Sequence, residues 1–293
     1  MKYLNSKEVS GILGINISTL KRWTDSGKLG CEKTAGGHRK FTMQHIRNYY
    51  KAFSNSSKGD SLSLETKNHK NIYGLINQQN YKQLALNLAD ASLSTDELTV
   101  DTVINGLYMN GTPISDLFDF VVDIAGNIVE DKLKNDKIEH TDAYLSRKII
   151  TRSVDGLNRD KPNGNTNGKN ALCINFEDNL PDIGVVMSEV LMRHNGYNVF
   201  NSGSHAELGK LTNIIVKRKI DIVLFYLCNL QCCNAVVEEN VSKTVNQIYD
   251  SIKVAKKLNI EILFGGEGLF LLDDIKGKID NSFLTYNDLK KLI

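Results

Sequence analysis

The pattern of apolar and polar positions changes character along the 293 residues of the chain. Residues 1–53 hold short amphipathic segments, and residues 54–70 are polar with few large apolar side chains, as in a linker. Residues 71–160 repeat apolar positions at helical spacing, whereas residues 169–293 alternate short apolar runs with amphipathic helices. The Asn- and Gly-rich stretch 161–168 separates these two regions. The sequence therefore predicts three domains joined by linkers.

The two larger regions predict different architectures. Apolar residues three or four positions apart, such as Leu117, Val121 and Ile124, indicate that residues 71–160 form a four-helix bundle. The alternation in residues 169–293 is typical of a doubly wound, parallel, flavodoxin-like sheet, whose ligands lie at the carboxyl ends of the strands. The expected strands are 171–176, 197–200, 220–227 and 260–264, and the expected helices are 184–194, 208–217 and 241–258.

The N-terminal segment predicts two short helices joined by a tight turn. A first helix, which we expect Ser6 to cap, ends near Leu13, and Gly14 supplies the turn. Ser18 is expected to cap a second helix over residues 19–24. This spacing is that of a helix-turn-helix, whose second helix enters the major groove of DNA.

The second helix separates core positions from positions that can contact a ligand. Leu20 and Trp23 fall on one face and are expected to be buried. Thr19, Lys21 and Arg22 point elsewhere, where they can read bases or contact phosphates.

A second candidate contact region follows in the stretch Thr-Ala-Gly-Gly-His-Arg-Lys-Phe, residues 34–41. Its two glycines allow a tight turn and a close approach of the backbone to a phosphate chain. His38, Arg39 and Lys40 can neutralise that chain. With a third helix expected over residues 44–53, the stretch predicts the wing of a winged helix-turn-helix.

Charge is divided unevenly between the N-terminal segment and the rest of the chain. The overall net charge is +2. Residues 1–53 carry ten Lys and Arg against three Asp and Glu, a net charge of +7, whereas the remainder carries 26 against 31, a net charge of −5. A basic domain joined to an acidic body is the asymmetry expected when one domain binds a polyanion.

Several classes of protein and site do not fit the sequence. No secretory signal or apolar run of the ~20 residues that span a bilayer is present, so we expect a cytoplasmic protein with no membrane partner. The five cysteines form no C-x-x-C unit, which favours reduced thiols over a disulfide framework or a zinc site. No phosphate-binding or dinucleotide-binding glycine motif is found.

The stretch from Ser6 through the Gly-Gly-His-Arg-Lys-Phe sequence resembles the MerR-type DNA-binding domain. The resemblance covers about the first 53 residues. It implies that Thr19, Lys21 and Arg22 of the second helix read the groove. It also implies that the wing residues His38, Arg39 and Lys40 grip the DNA backbone.

The order of helical bundle and doubly wound sheet resembles the light-sensing CarH and LitR regulators, which join a MerR-type domain to a cobalamin-binding module. Such modules present a cobalt-ligating His in a D-x-H-x-x-G loop, which here is Asn179-Leu180-Pro181-Asp182-Ile183-Gly184. The glycine is retained, but proline has no side-chain nitrogen to donate to a metal.

The resemblance places other cobalamin landmarks at altered positions. The serine that borders the cobalamin tail corresponds to Tyr226, whose ring would occupy room that the tail requires, whereas Gly265-Gly266 matches the family's glycine pair. The Trp and Glu-His that cover the other corrin face correspond to Leu133, Ala143 and Tyr144. We therefore expect a retained scaffold with no cofactor, and the alternative is cobalamin held without a protein His ligand.

Together these features predict a sequence-specific transcription regulator and not an enzyme. The expected partner is a double-stranded DNA operator with two half-sites, bound by a homo-oligomer because one small domain makes few base contacts. A small molecule or a protein is the expected effector. A cobalamin photoreceptor and a cobalamin-carrying enzyme module are the two competing interpretations.

Overall fold

The computed structural model describes residues 3–13, 15–34, 36–42, 45–46, 48–49, 67–159, 166–175, 183–203, 208–227, 238–271, 279 and 281–293. The chain divides into two compact units, residues 1–128 and residues 129–293. The expected domain limits at residues 53, 70 and 160 stay predictions.

The first unit begins with two helices and a short antiparallel hairpin. Helix α1 spans Ser6–Leu13, α2 spans Ile17–Asp25, and strands β1 and β2 span Glu32–Lys33 and Arg39–Lys40. Of the third helix expected over residues 44–53, the described residues 45, 46, 48 and 49 are helical. Gly14, which was expected to form the turn, lies outside the described residues.

The two expected helix caps are wrong by one or two positions. Ser6 is the first residue of α1, and the side chain of Asn5 before it accepts a hydrogen bond from the backbone N–H of Lys7 at 2.9 Å. Before α2, the Asn16 side chain accepts from Thr19 N at 2.7 Å and from the Ser18 hydroxyl at 2.6 Å. An asparagine side chain satisfies an N–H group of the first turn as serine does, so residue type alone does not decide which of the two caps the helix.

Helices follow the hairpin, as the apolar spacing predicted. Within the described part of residues 67–159 the structure has five helical stretches, where four were expected. The fourth of these contains a π-helical turn at Phe118–Val122. The helices are α3 (Lys67–Asn77), α4 (Tyr81–Leu93), α5 (Glu97–Met109), α6 with α7 (Ile114–Leu117 and Asp123–Lys134) and α8 (His140–Gly156).

The second unit contains the predicted doubly wound sheet. Five described strands pair in the order β4-β3-β5-β6-β7, and every pairing is parallel. This is the 2-1-3-4-5 order of flavodoxin-like folds, which confirms the predicted fold class. The strands are β3 (Asn170–Asn175), β4 (Asn198–Gly203), β5 (Ile222–Tyr226), β6 (Glu261–Gly265) and β7 (Ser282–Phe283). The helices are α9 (Ile183–His194), α10 (Leu211–Arg218), α11 (Glu238–Leu258) and α12 (Tyr286–Leu292).

The two faces of the sheet pack against different helices. Val223 and Phe225 of β5 lie in a core with residues of α10 and α11. Because successive side chains of a strand point to opposite faces, Tyr226 lies on the other side. On that side the sulfur of Cys173 is 3.9 Å from the sulfur of Met192 in α9. Tyr226 therefore shares a face with α9.

Candidate nucleic-acid interface and sheet crevice

Helix α2 divides into a buried and an exposed face, as predicted. Leu20 is fully buried and Trp23 is 7% exposed, with its ring stacked on Tyr49 at a centroid distance of 5.0 Å. Lys21 and Arg22 are exposed. The apolar face therefore fixes the orientation in which the cations of the other face are presented to a partner.

Strands β1 and β2 form a hairpin whose tip contains the predicted glycine turn. Lys33 pairs with Arg39, and Glu32 pairs with Lys40. Gly37 N donates to Thr34 O at 2.8 Å, and Gly37 has a φ of +75°, a conformation that favours glycine. The exposed His38 follows the turn directly. Of the three wing residues, His38 therefore lies beside the turn, and Arg39 and Lys40 form strand β2.

Arg39 reaches back from the hairpin to the end of α2. Its Nε donates to Thr24 Oγ1 and its Nη2 donates to Asp25 Oδ1, both at 2.6 Å, and its side chain is only 16% exposed. Lys33 Nζ lies 3.6 Å from the same carboxylate. The hydrogen bond from Arg39 holds the pKa of Asp25 below its usual value. Thr24 and Asp25 were not among the predicted site residues, because their contacts with Arg39 depend on how the hairpin docks.

A second set of contacts joins the hairpin to the segment before α1. The Tyr3 hydroxyl donates to Glu32 Oε2 at 2.6 Å, and the Lys40 ammonium lies 5.2 Å from the centre of the Tyr3 ring. The hydrogen bond to Glu32 raises the pKa of Tyr3. Leu4 and Phe41 exchange backbone hydrogen bonds of 2.8 and 2.9 Å. Lys40 is exposed, so it keeps access to a partner although its ammonium lies over the tyrosine ring.

At the carboxyl edge of the sheet, the Tyr226 ring lies directly against the backbone of Gly184. A Cβ atom placed on Gly184 would be 2.1 Å from the Tyr226 ring. Tyr226 is 8% exposed. The space beside the first turn of α9 is therefore occupied by this ring. Asn179 and Pro181, the other two residues expected in this part of the crevice, lie outside the described residues.

The two glycines after β6 are also surrounded by the protein's own atoms. A Cβ on Gly265 would be 2.0 Å from the Phe283 ring, and a Cβ on Gly266 would be 2.1 Å from the Leu227 carbonyl oxygen. Gly266 also has a φ of +94°. Both positions thus require glycine for reasons that lie within the fold.

Tyr286 of α12 completes a cluster of three rings, Tyr226, Phe283 and Tyr286, called the ring cluster below. Its hydroxyl donates to the carbonyl oxygen of Gly184 at 3.1 Å, and its ring stacks on Tyr226 at a centroid distance of 6.4 Å. The Phe283 ring is tilted against Tyr226 at the same distance. Phe283 and Tyr286 were not predicted, because no element was expected after residue 264.

The helical landmarks of the cobalamin resemblance are also mostly inaccessible. Leu133 is 5% exposed and Ala143 is fully buried, whereas Tyr144 is partly buried. Among the described residues, no group of three or more His, Cys, Asp or Glu is arranged to hold a metal ion. Within the residues that the structure describes, no helix is long and apolar enough to cross a membrane.

Comparison with known proteins gives separate results for the two ends of the chain. Residues 4–49 match the family described as MerR HTH family regulatory protein. No match is found among curated proteins. Among solved structures, the monomethylamine corrinoid protein of Methanosarcina barkeri is similar with a TM-score of 0.51 and 14% identity, over 72% of this chain and 97% of that one.

Two other solved structures have TM-scores too low to indicate a shared fold. One is a cobalamin-binding protein from Desulfitobacterium hafniense DCB-2, with a TM-score of 0.34 and 15% identity over 70% of this chain and 94% of that one. The other is the methanol:cobalamin methyltransferase complex MtaBC of Methanosarcina barkeri, with a TM-score of 0.33 and 14% identity over 86% of this chain and 97% of that one. Residues 4–49 are therefore similar to the MerR helix-turn-helix family, and 72% of the chain is similar in fold to a corrinoid protein.

Proposed function

We propose that this protein is a sequence-specific DNA-binding transcription regulator. Thr19, Lys21 and Arg22 of α2 enter or border the major groove, and the hairpin residues His38, Arg39 and Lys40 lie along the adjacent backbone. The observation that carries the proposal is the exposed pair Lys21 and Arg22 on the face of α2 opposite the buried Leu20 and Trp23. The family match over residues 4–49 supports the same conclusion.

The proposed regulator acts as a dimer or a higher oligomer. One N-terminal domain offers a single short helix and one hairpin, which is few base contacts for a specific site. Two such domains on half-sites one helical turn apart, ~34–36 Å, would supply both the affinity and the length of sequence read. The second unit would then hold the domains at that spacing in the cytoplasm, under the control of an effector.

A titration with full-length protein tests the DNA-binding proposal. The probes are a duplex selected by the protein from a randomised pool and a scrambled duplex of equal length and composition. We expect tighter binding to the selected duplex, and affinity that falls steeply between about 50 mM and about 200 mM salt. Equal affinity for the scrambled duplex would remove sequence specificity from the proposal.

We further propose that the second unit does not bind cobalamin through a protein His ligand. Pro181 has no donor nitrogen. The Tyr226 ring lies so close to Gly184 that it leaves no room even for a Cβ atom at that position. Phe283 takes the corresponding space beside Gly265. These residues do not fit a His-ligated cobalamin with a buried tail, and the module is assigned to regulation or assembly instead of catalysis.

One observation favours a second candidate function, a cobalamin-dependent regulator that holds the cofactor without a His ligand. That observation is the similarity in fold to a corrinoid protein at a TM-score of 0.51. Incubation of the full-length protein with adenosylcobalamin in the dark, followed by desalting, separates the two. A colourless protein fraction is expected, whereas a coloured fraction with a stoichiometric cobalt content would establish the second candidate.

A further inference from the structure

We infer that Arg39 is a positioning residue, which sets the angle of the hairpin against α2 through Thr24 and Asp25 instead of contacting DNA phosphate itself. The inference rests on the proposed DNA-binding function and refines the role of one residue in it. Arg39 donates to both partners at 2.6 Å with a side chain that is 16% exposed.

The two acceptors are arranged to receive an arginine. The Thr24 hydroxyl donates its own hydrogen to the Lys21 carbonyl oxygen at 2.8 Å, which leaves a lone pair for the Nε of Arg39. Asp25 is the last residue of α2, so the guanidinium also lies near the negative end of the helix dipole. The planar guanidinium spans both acceptors at once, which the single ammonium of lysine does not do.

The hairpin needs such a connection because its strands are only two residues long. A short two-stranded hairpin is marginally stable on its own in water. The Leu4–Phe41 backbone pair and the Tyr3–Glu32 hydrogen bond hold the side of the hairpin next to the N-terminal segment. Arg39 holds the side next to α2, and so fixes the distance between the wing and the helix that reads bases.

Charge balance separates Arg39 from the other cations of the domain. Its positive charge is matched by the Asp25 carboxylate at 2.6 Å, whereas Lys21 and Arg22 are exposed. A cation that stays paired with a carboxylate releases few counterions when the protein binds DNA. Loss of Arg39 should therefore lower affinity without lowering the dependence of affinity on salt.

A double-mutant cycle on the full-length protein tests this role, with the selected duplex as the probe. We expect Asp25→Asn and Arg39→Met each to weaken binding about five-fold, the upper range for a partly exposed ion pair. The double variant should be no weaker than either single variant, because both remove the same connection. The slope of log affinity against log salt should stay at the wild-type value.

A conservative replacement gives an independent readout. Arg39→Lys keeps the charge but not the fork, so it should bind as weakly as Arg39→Met if Arg39 positions the hairpin. The matched control is Arg218→Lys at the end of α10, an exposed arginine outside the proposed DNA-binding residues, which should bind nearly as wild type. Fluorescence of Trp23, the single tryptophan of the chain, reports that each variant domain is folded.

The opposite results would assign Arg39 to direct phosphate contact. These are tighter or unchanged binding by Asp25→Asn, near-normal binding by Arg39→Lys, and a salt slope reduced by about 0.9 in Arg39→Met. Failure of the wild-type protein to prefer the selected duplex is a separate outcome that would remove the proposed function. Specific binding with no effect of Asp25→Asn would overturn only the role of Arg39.

Discussion

The N-terminal helix-turn-helix and the carboxyl edge of the sheet both contain residues that a family resemblance marks as functional, but the two regions use them differently. In the N-terminal domain, Lys21 and Arg22 remain exposed around a buried Trp23. At the sheet edge, Gly184 and Gly265 are each covered by an aromatic ring of the same chain.

The difference shows that a retained residue has to be interpreted through its neighbours. The cations of α2 keep their ability to bind a partner because their side chains are exposed. A glycine only leaves space, and the ring cluster shows that the space can be taken by Tyr226 as readily as by a ligand. The same glycines are therefore compatible both with a ligand site and with a crevice that the protein fills with its own rings.

The largest expected effect comes from removing the central ring of the cluster. Tyr226→Ala should destabilise the second unit by about 3–5 kcal/mol, because it leaves a cavity and removes two ring contacts. Chemical unfolding followed by circular dichroism should show a transition at lower denaturant, whereas the Trp23 fluorescence transition should shift much less. Equal shifts of both signals would mean that the two regions unfold as one, which would end their treatment as independent.

A smaller loss is expected from filling the space beside Gly184. Alanine is the better helix former, but its Cβ would lie 2.1 Å from the Tyr226 ring, so Gly184→Ala should cost about 1–3 kcal/mol. Gly126→Ala in α7 is the matched control, because its Cβ would meet nothing within 4 Å, and it should be neutral or stabilising.

The Tyr226→Ala background shows whether the cost belongs to the ring. Gly184→Ala should become neutral or stabilising there, since the clash has been removed. A cost of Gly184→Ala that persists without the ring would show that Gly184 is required for another reason, such as the path of the chain into α9.

Much of the fold could be predicted because its signal is periodic. Strands β3, β5 and β6 and helices α9 and α11 follow from short apolar runs and helical spacing, and the order of elements indicates a parallel sheet. The C-terminal elements gave no comparable signal. Strand β7 has two residues, Ser282 and Phe283, and α12 has only seven, which is too short for a clear pattern.

The residues of the candidate sites could be predicted from the sequence, but the contacts that these residues make could not. Spacing on α2 indicates that Lys21 and Arg22 avoid the core, because the helix period alone decides that. The contact of Arg39 with Asp25 joins positions 14 apart on different elements, and depends on how the hairpin packs. The neighbours of the Tyr226 ring could likewise not be predicted, because they depend on the position of α12.

The exposed cations of α2 are expected to affect binding and not folding. Lys21→Ala combined with Arg22→Ala should leave the Trp23 unfolding transition within about 0.5 kcal/mol of wild type, since surface changes rarely exceed that. The slope of log affinity against log salt for the selected duplex should fall by about 1.8, which corresponds to two phosphate contacts. An unchanged slope would mean that these side chains face away from the DNA and that the hairpin supplies most of the contacts.

The smallest effect concerns the pH dependence of the ion pair that joins the hairpin to α2. The Arg39 hydrogen bond lowers the pKa of Asp25 from its usual value of 3.8, so the pair is intact above that value and its contribution is lost only as the pH falls through the lowered pKa. The difference in unfolding midpoint between wild type and Asp25→Asn, followed by Trp23 fluorescence, should therefore be constant from about pH 8 to about pH 5. It should shrink towards zero as the pH falls through the lowered pKa, because Asp25 of the wild type then becomes protonated and resembles asparagine in charge. A difference that already changes between about pH 8 and about pH 6 would assign the effect to a histidine, and would remove the carboxylate from the explanation of how the hairpin is held.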